Sequence, residues 1–157
     1  MSPQVTFMGF AEGATFDARG SLALVGFCPQ VVSVERFPAQ VSPALVVIVD
    51  DDVDGTNLKL GRTANVRLIV TNEAREVVFY VEQATTVTEV KNTGLPGRIA
   101  LVAQFPVTAS KAGRYTYSAT IKISDSSAPE MNADASLLVV DQAWLDARKS
   151  RSGAGAS

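Results

Sequence analysis

A chain of 157 residues with 46% apolar residues is long enough for one domain with its own hydrophobic core. Its net charge of −2 supplies no basic field to hold nucleic acid or an anionic membrane surface, so we expect neither as a partner. The sequence contains no histidine, which excludes Ser-His-Asp triads, Cys-His pairs and histidine-containing zinc sites. We therefore expect a protein that is not an enzyme and needs no cofactor.

The N-terminal residues and the single cysteine indicate the cellular compartment in which the protein is expected. The first ten residues carry neither a basic segment nor a long apolar run, and no apolar run in the chain approaches the length of a membrane span. Cys28 is the only cysteine and cannot form an internal disulfide, which suits a reducing compartment. We expect a cytoplasmic protein, or a virion protein if the gene belongs to a phage.

Short runs of β-branched residues, separated by Gly, Pro, Asn, Asp and Ser, dominate the first 140 residues. They predict strands at Val5–Ala11, Ser21–Phe27, Val31–Arg36, Pro43–Val49, Ala64–Thr71, Glu76–Val81, Thr85–Val90, Arg98–Phe105, Arg114–Ile123 and Ala135–Val140. Apolar and polar residues alternate most clearly at 64–71 and 114–123, as in strands with one buried face. The pattern predicts an all-β domain over residues 1–140, an antiparallel β-sandwich of the immunoglobulin-like or jelly-roll type.

Several short motifs occur in a fixed order along this domain. An Asp17-x-x-Gly20 turn between two strands is followed by Gly26-Phe27, by Phe37-Pro38, and much later by Gly113-Arg114-Tyr115. This order resembles a family of small bacterial proteins with no established activity, whose members are predicted to be β-sandwiches. The resemblance implies the fold and no functional residues.

The tyrosine of the last motif carries a prediction of its own. Tyr115 lies two residues after Gly113, at the head of an alternating strand. This position resembles the tyrosine corner of immunoglobulin-like sandwiches, in which the tyrosine hydroxyl bonds back to the main chain. We expect the Tyr115 hydroxyl to do the same.

Four aspartates fall in five positions after the apolar strand that ends near residue 49. Asp50, Asp52, Asp54 and Gly55 match the opening of an EF-hand calcium loop, but the position of its bidentate glutamate is Gly61. Two interpretations remain: a weak divalent site between strands, or a solvated turn whose aspartates accept hydrogen bonds from main-chain amides. The sequence favours the turn.

The pattern changes after residue 140. Asp141 is a suitable N-cap for a short helix, and we expect residues 141–157 to form that helix and a flexible Gly/Ala/Ser tail. Trp144, Leu145 and Arg148 lie close enough in sequence to reach one partner surface, and Trp and Arg are common hot-spot residues. The alternative is that Trp144 packs against its own sandwich.

Two functional classes are compatible with these observations. The first is a non-catalytic structural or interaction protein, a β-sandwich subunit in a homo-oligomer or virion-type assembly such as a phage capsid accessory (decoration or minor capsid) protein. The second is a cytoplasmic module that binds a small ligand, a glycan or a divalent ion through its loops. The partner contacts predicted for the first class are Trp144, Leu145 and Arg148, and the metal contacts for the second are Asp50, Asp52 and Asp54.

Overall fold

A computed structural model describes residues 3–16, 22–26, 31–51, 58, 62–86, 98–124 and 126–154. The elements in these ranges are β1 (Gln4–Ala11), β2 (Gly13–Phe16), β3 (Leu22–Val25), β4 (Val31–Val34), β5 (Ala39–Val41), β6 (Ala44–Asp50), β7 (Thr63–Thr71), β8 (Val77–Thr86), β9 (Arg98–Gln104), β10 (Val107–Ala109), β11 (Gly113–Ile123), β12 (Met131–Asp141) and α1 (Gln142–Ala154). The prediction of an all-β fold with a C-terminal helix is confirmed.

Two larger sheets organise the domain. One has five strands in the order β4-β12-β11-β7-β8, all antiparallel neighbours except β4 and β12, which run parallel. The other has three antiparallel strands in the order β1-β6-β9. The short pairs β5–β10 and β2–β3 complete the described sheet structure.

The core is formed by side chains from both sheets. On β11 every second residue from Tyr115 to Ile123 is at most 3% exposed, as the alternation in the sequence predicted. Phe10 on β1 meets Tyr117 on β11 edge to face, with ring centroids 4.8 Å apart. The same apolar cluster includes residues of β6, β7 and β12, so the two sheets share one hydrophobic core.

The strand order agrees with the immunoglobulin-like type of sandwich. Strands β1, β6 and β9 correspond to A, B and E of that fold, while β7, β11 and β12 correspond to C, F and G of the facing sheet. Tyr115 lies near the start of β11, and its hydroxyl donates to the Lys111 carbonyl at 2.8 Å. The predicted tyrosine corner is therefore confirmed.

The strands β2, β5 and β10 were not predicted, and the predicted boundaries differ most from the structure at β8 and β12. The strands predicted at Glu76–Val81 and Thr85–Val90 are joined in the single strand β8, because pairing with β7 continues through Gln83 and Ala84. Strand β12 begins at Met131 rather than Ala135, since its first residues pair with the end of β11. The predicted Asp17–Gly20 turn, Cys28 and residues 87–90 lie outside the described residues.

Helix α1 is longer than the sequence predicted. It has 13 residues and extends to Ala154, into the segment that we expected to be flexible. Asp141 is the last residue of β12 and also caps the helix, as predicted: its Oδ1 accepts the Trp144 N–H at 2.9 Å. Strand and helix therefore follow each other without an intervening loop.

Candidate functional site

Helix α1 is maintained mainly by local contacts. Besides the cap at Asp141, the Gln142 amide donates to Asp146 Oδ1 at 2.8 Å, and the Ser152 hydroxyl donates to the Lys149 carbonyl at 3.0 Å. From residue 142 to 152, only Trp144 and Leu145 are partly buried, and the other side chains are exposed. The helix thus packs against β12 through few side chains and presents most of its surface to solvent.

One face of α1 combines an aromatic ring with two guanidinium groups. We call it the Trp-Arg face; it lines an open cleft of about 400 Å³ and consists of Trp144, Ala147, Arg148, Arg151 and Ser152. The guanidinium carbon of Arg148 lies 5.2 Å from the centre of the Trp144 ring, in cation–π geometry. A guanidinium stacked in this way keeps its N–H edge available for a carboxylate. The face therefore offers an apolar surface next to donors for an acidic group.

The structure brings together only two of the three predicted contact residues. Trp144 and Arg148 lie together on the Trp-Arg face, whereas Leu145 is half-buried and does not line the cleft. Successive helical residues are rotated by about 100°, so Leu145 lies well to the side of Trp144. Arg151 was missed by the sequence reasoning, although its spacing of seven residues from Trp144 is a helical signal for the same face.

Charge is distributed unevenly between the helix and the rest of the chain. Within α1, Arg148, Lys149 and Arg151 oppose the single carboxylate of Asp146, which gives the helix a net charge of +2. Since the whole chain carries −2, the remaining residues together carry −4. The helix is thus the basic part of an acidic protein.

The aspartate cluster is engaged in protein contacts wherever the structure describes it. Arg98 on β9 donates from Nε to one carboxylate oxygen of Asp50 and from Nη2 to the other, at 2.9 Å for the second bond. These bonds from Arg98 hold the pKa of Asp50 below its usual range. The buried carboxylate of Asp51 accepts the Leu58 N–H at 2.9 Å.

The remaining predicted metal ligands, Asp52 and Asp54, lie outside the described residues. Among the residues that are described, no three His, Cys, Asp or Glu side chains lie close enough together to hold a metal ion. Both carboxylate oxygens of Asp50, the first residue of the motif, already accept hydrogen bonds from Arg98.

A second surface of interest lies on the outer side of β8. Val77 and Tyr80 are 61% and 54% exposed and are the two most exposed large apolar side chains of the described residues. The Tyr80 hydroxyl donates to Glu82 Oε2 at 2.9 Å, and this bond raises the pKa of Tyr80. We call Val77, Tyr80 and Glu82 the β8 surface: an exposed apolar pair with a carboxylate beside it.

The geometry of β7 and β8 explains why these three residues lie together. Pairing shifts by one residue between Val70 and Thr71, so that Val77 pairs with Thr71 while Phe79 pairs with Val70. This β-bulge changes the alternation, because a regular strand would place residues 77 and 80 on opposite faces.

Comparison with known proteins adds no relative to this description. No protein-family model and no curated protein matches the sequence. The resemblance carried by the Asp17-x-x-Gly20 and Gly113-Arg114-Tyr115 motifs therefore stays a prediction. In the part of the chain that the structure describes, no helix has the length and apolar character needed to span a membrane.

Proposed function

We propose that this protein is a non-catalytic structural or interaction protein, a β-sandwich subunit of a larger assembly. Phage capsid accessory proteins, such as decoration and minor capsid proteins, are the class that we propose for it. The observation that carries the proposal is the Trp-Arg face, in which Trp144 stacks with Arg148 on a helix that extends from the last strand.

Helix α1 has few buried contacts with its own domain. A helix of this length is marginal in water unless it buries an apolar face, and α1 buries little more than parts of Trp144 and Leu145. Tryptophan and arginine are the residues that most often dominate the energy of protein interfaces. The side chains of α1 are therefore better suited to a partner surface than to their own core.

The test is the size of the native particle and its dependence on Trp144. Light scattering of the protein isolated from its source should give a mass well above 16.6 kDa. Replacing Trp144 with Ala should weaken the association by about 2 kcal/mol, the value typical of a hot spot, while the fold is retained. Ser150→Ala is the matched control, because Ser150 is exposed on the opposite side of the helix.

Two results would count against this function. The first is a monomeric native protein whose behaviour is the same with and without the Trp144 side chain. The second is a saturable rise in melting temperature with calcium or a glycan, which would favour the module that binds a ligand through its loops.

A further inference from the structure

We propose that the free edge of β9, the edge that faces away from β6, pairs with the same edge of a second copy of this chain. The two three-stranded sheets then join into one antiparallel sheet of six strands. The inference goes beyond the proposed function, because it concerns a surface that is distinct from the Trp-Arg face of α1. Strand addition at a sheet edge is a common mode of protein recognition, in which main-chain hydrogen bonds supply the affinity.

Strand β9 lies at one end of the order β1-β6-β9 and pairs with β6 along one edge. Within the described ranges, no strand lies beside its free edge. Along the edge of a sheet, a row of main-chain N–H and C=O groups points outwards without a partner strand. A second strand laid along this edge would provide these groups with hydrogen-bond partners.

The other edges of the two larger sheets are protected against such pairing. Strand β1 contains a bulge between Val5 and Phe7, β4 has only four residues, and β8 carries the exposed Glu82 carboxylate. Bulges, short strands and charges are the features that keep natural sheet edges apart. By contrast, β9 pairs with β6 without a register shift, and it has no charged residue and no proline from residue 99 to 103. Its free edge is therefore the one best suited to accept a strand.

The sequence of β9 is complementary to itself in the antiparallel direction. When Leu101 lies opposite Leu101 of the second copy, Ile99 lies opposite Ala103 and Ala100 opposite Val102. Each of the last two pairs joins a large side chain to a small one, which favours close cross-strand packing. This register is the one that pairs all seven residues of β9. It also keeps both hydrophobic cores on the same side of the joined sheet, because Ile99 and Leu101 pack against the core in each copy.

The polar residues at the ends of β9 fit the same register. Arg98 lies opposite Gln104 of the second copy, so no like charges face each other. Two N–H groups of Arg98 already donate to Asp50, its neighbour on β6, which balances the charge of the guanidinium. The Gln104 amide donates to the Ser42 carbonyl at 2.7 Å, and its own oxygen can accept a further N–H of Arg98 from the second copy.

Disulfide cross-linking of the full-length chain tests this register directly. In a Cys28→Ser background, Ala100→Cys and Val102→Cys place two thiols opposite each other only when the two variants pair with one another. Directly opposite α-carbons lie about 4.5–5.5 Å apart, within reach of a disulfide, whereas position 100 lies about 8 Å from position 100 of the second copy. With oxidised glutathione, an equimolar mixture should therefore cross-link about tenfold faster than either variant alone.

Sedimentation of the purified full-length chain measures the strength of the contact. Val102→Lys should weaken self-association by about tenfold or more, because a lysine on an edge strand opposes pairing. Gln4→Lys is the control: it adds the same charge to β1, at the opposite edge of the same sheet, and should have an effect of about twofold at most. Circular dichroism shows whether both variants are folded, and the cross-linking result decides if Val102→Lys is not.

The outcomes separate this contact from that of α1. The mixture of cysteine variants should cross-link equally well when both also carry Trp144→Ala, since β9 does not include the helix. If the mixture cross-links no faster than each variant alone, or if the full-length chain stays monomeric at high micromolar concentration, the β9 pairing is wrong, and the proposed function still depends on Trp144 in the native particle. If the mixture cross-links but Trp144→Ala leaves the native particle unchanged, the β9 contact is supported and the contact proposed for α1 is wrong.

Discussion

Strand β11 and helix α1 are stabilised by different kinds of contact. The inner side chains of β11 are almost completely removed from water: Ile121 is 0% exposed and Tyr115 2%. In α1 most side chains are exposed, and the helix relies on the Asp141 cap and on bonds between its own residues. The residues of β11 therefore stabilise the fold of this chain, whereas Trp144 is only half-buried and Arg148 is exposed beside it.

A cavity in β11 should have the largest effect on stability. Ile121→Ala removes three buried carbons from a fully covered site, and we expect it to lower the free energy of unfolding by about 2–5 kcal/mol. Ser118→Ala on the outer side of the same strand should change it by about 0.5 kcal/mol at most. Urea unfolding of both variants measures the difference, and equal losses would show that the two faces of β11 are assigned wrongly.

The second largest effect should appear at alkaline pH. Burial raises the pKa of Tyr117 to about 12 from its ordinary value of 10.0. The folded state then holds a proton that the unfolded state loses, so the contribution of Tyr117 to stability is constant below pH 10 and falls as the pH rises towards 12. The loss should reach about 2–3 kcal/mol, at 1.36 kcal/mol for each unit of pKa.

The Tyr117→Phe variant isolates this contribution. Urea unfolding from pH 8 to pH 12 should show a smaller alkaline loss in the variant than in the unmodified chain, because the group that titrates is gone. Identical pH profiles would mean that Tyr117 does not hold its proton in the folded state.

The two tyrosines of β11 should respond differently to loss of the hydroxyl at neutral pH. The hydroxyl of Tyr115 has a partner at Lys111, and its removal in Tyr115→Phe should cost about 1 kcal/mol. The buried hydroxyl of Tyr117 has no hydrogen-bond partner among the described residues, so Tyr117→Phe should be neutral or slightly stabilising. Thermal unfolding at pH 7 gives both values, and a larger loss for Tyr117 would reverse this distinction.

The smallest effect on stability should come from α1. Deleting residues 142–157 removes few buried contacts, so the melting temperature of the isolated subunit should stay within a few degrees of the full-length value. Calorimetry at low protein concentration avoids the contribution of association. If the truncated chain is unfolded, the helix belongs to the core, and its side chains are not free for a partner.

The alternation of apolar and polar residues made the main strands of the sandwich predictable from the sequence. In β7 and β11 the apolar residues recur at every second position, which predicts which side chains are buried. The position of Gly113 before Tyr115 predicts the tyrosine corner. The full length of β8 was not predictable, because residues 82–86 are exposed on both faces and lack alternation. That part of the strand is defined by its hydrogen bonds to β7, which are long-range contacts.

The candidate site was predictable only where its residues are close in sequence. Asp141, Trp144 and Arg148 follow a helical spacing that can be read locally, whereas the β8 surface depends on a bulge that pairing with β7 creates. The role of Asp50 was hidden for a similar reason, since its partner Arg98 lies 48 residues away on β9. In the sequence alone, the same aspartates are compatible with a turn and with a metal-binding loop. A side-chain partner such as Arg98 becomes visible only in the structure.

The most direct test of the account measures stability and association together in Trp144→Ala. If α1 serves a partner, calorimetry should give a melting temperature within about 3 °C of the unmodified chain, because little of the core is lost. Sedimentation of the same samples should show association weakened by about 2 kcal/mol, a factor of about 30 in the dissociation constant. A fall in melting temperature without any change in association would contradict the account, and would place Trp144 in the core of its own subunit.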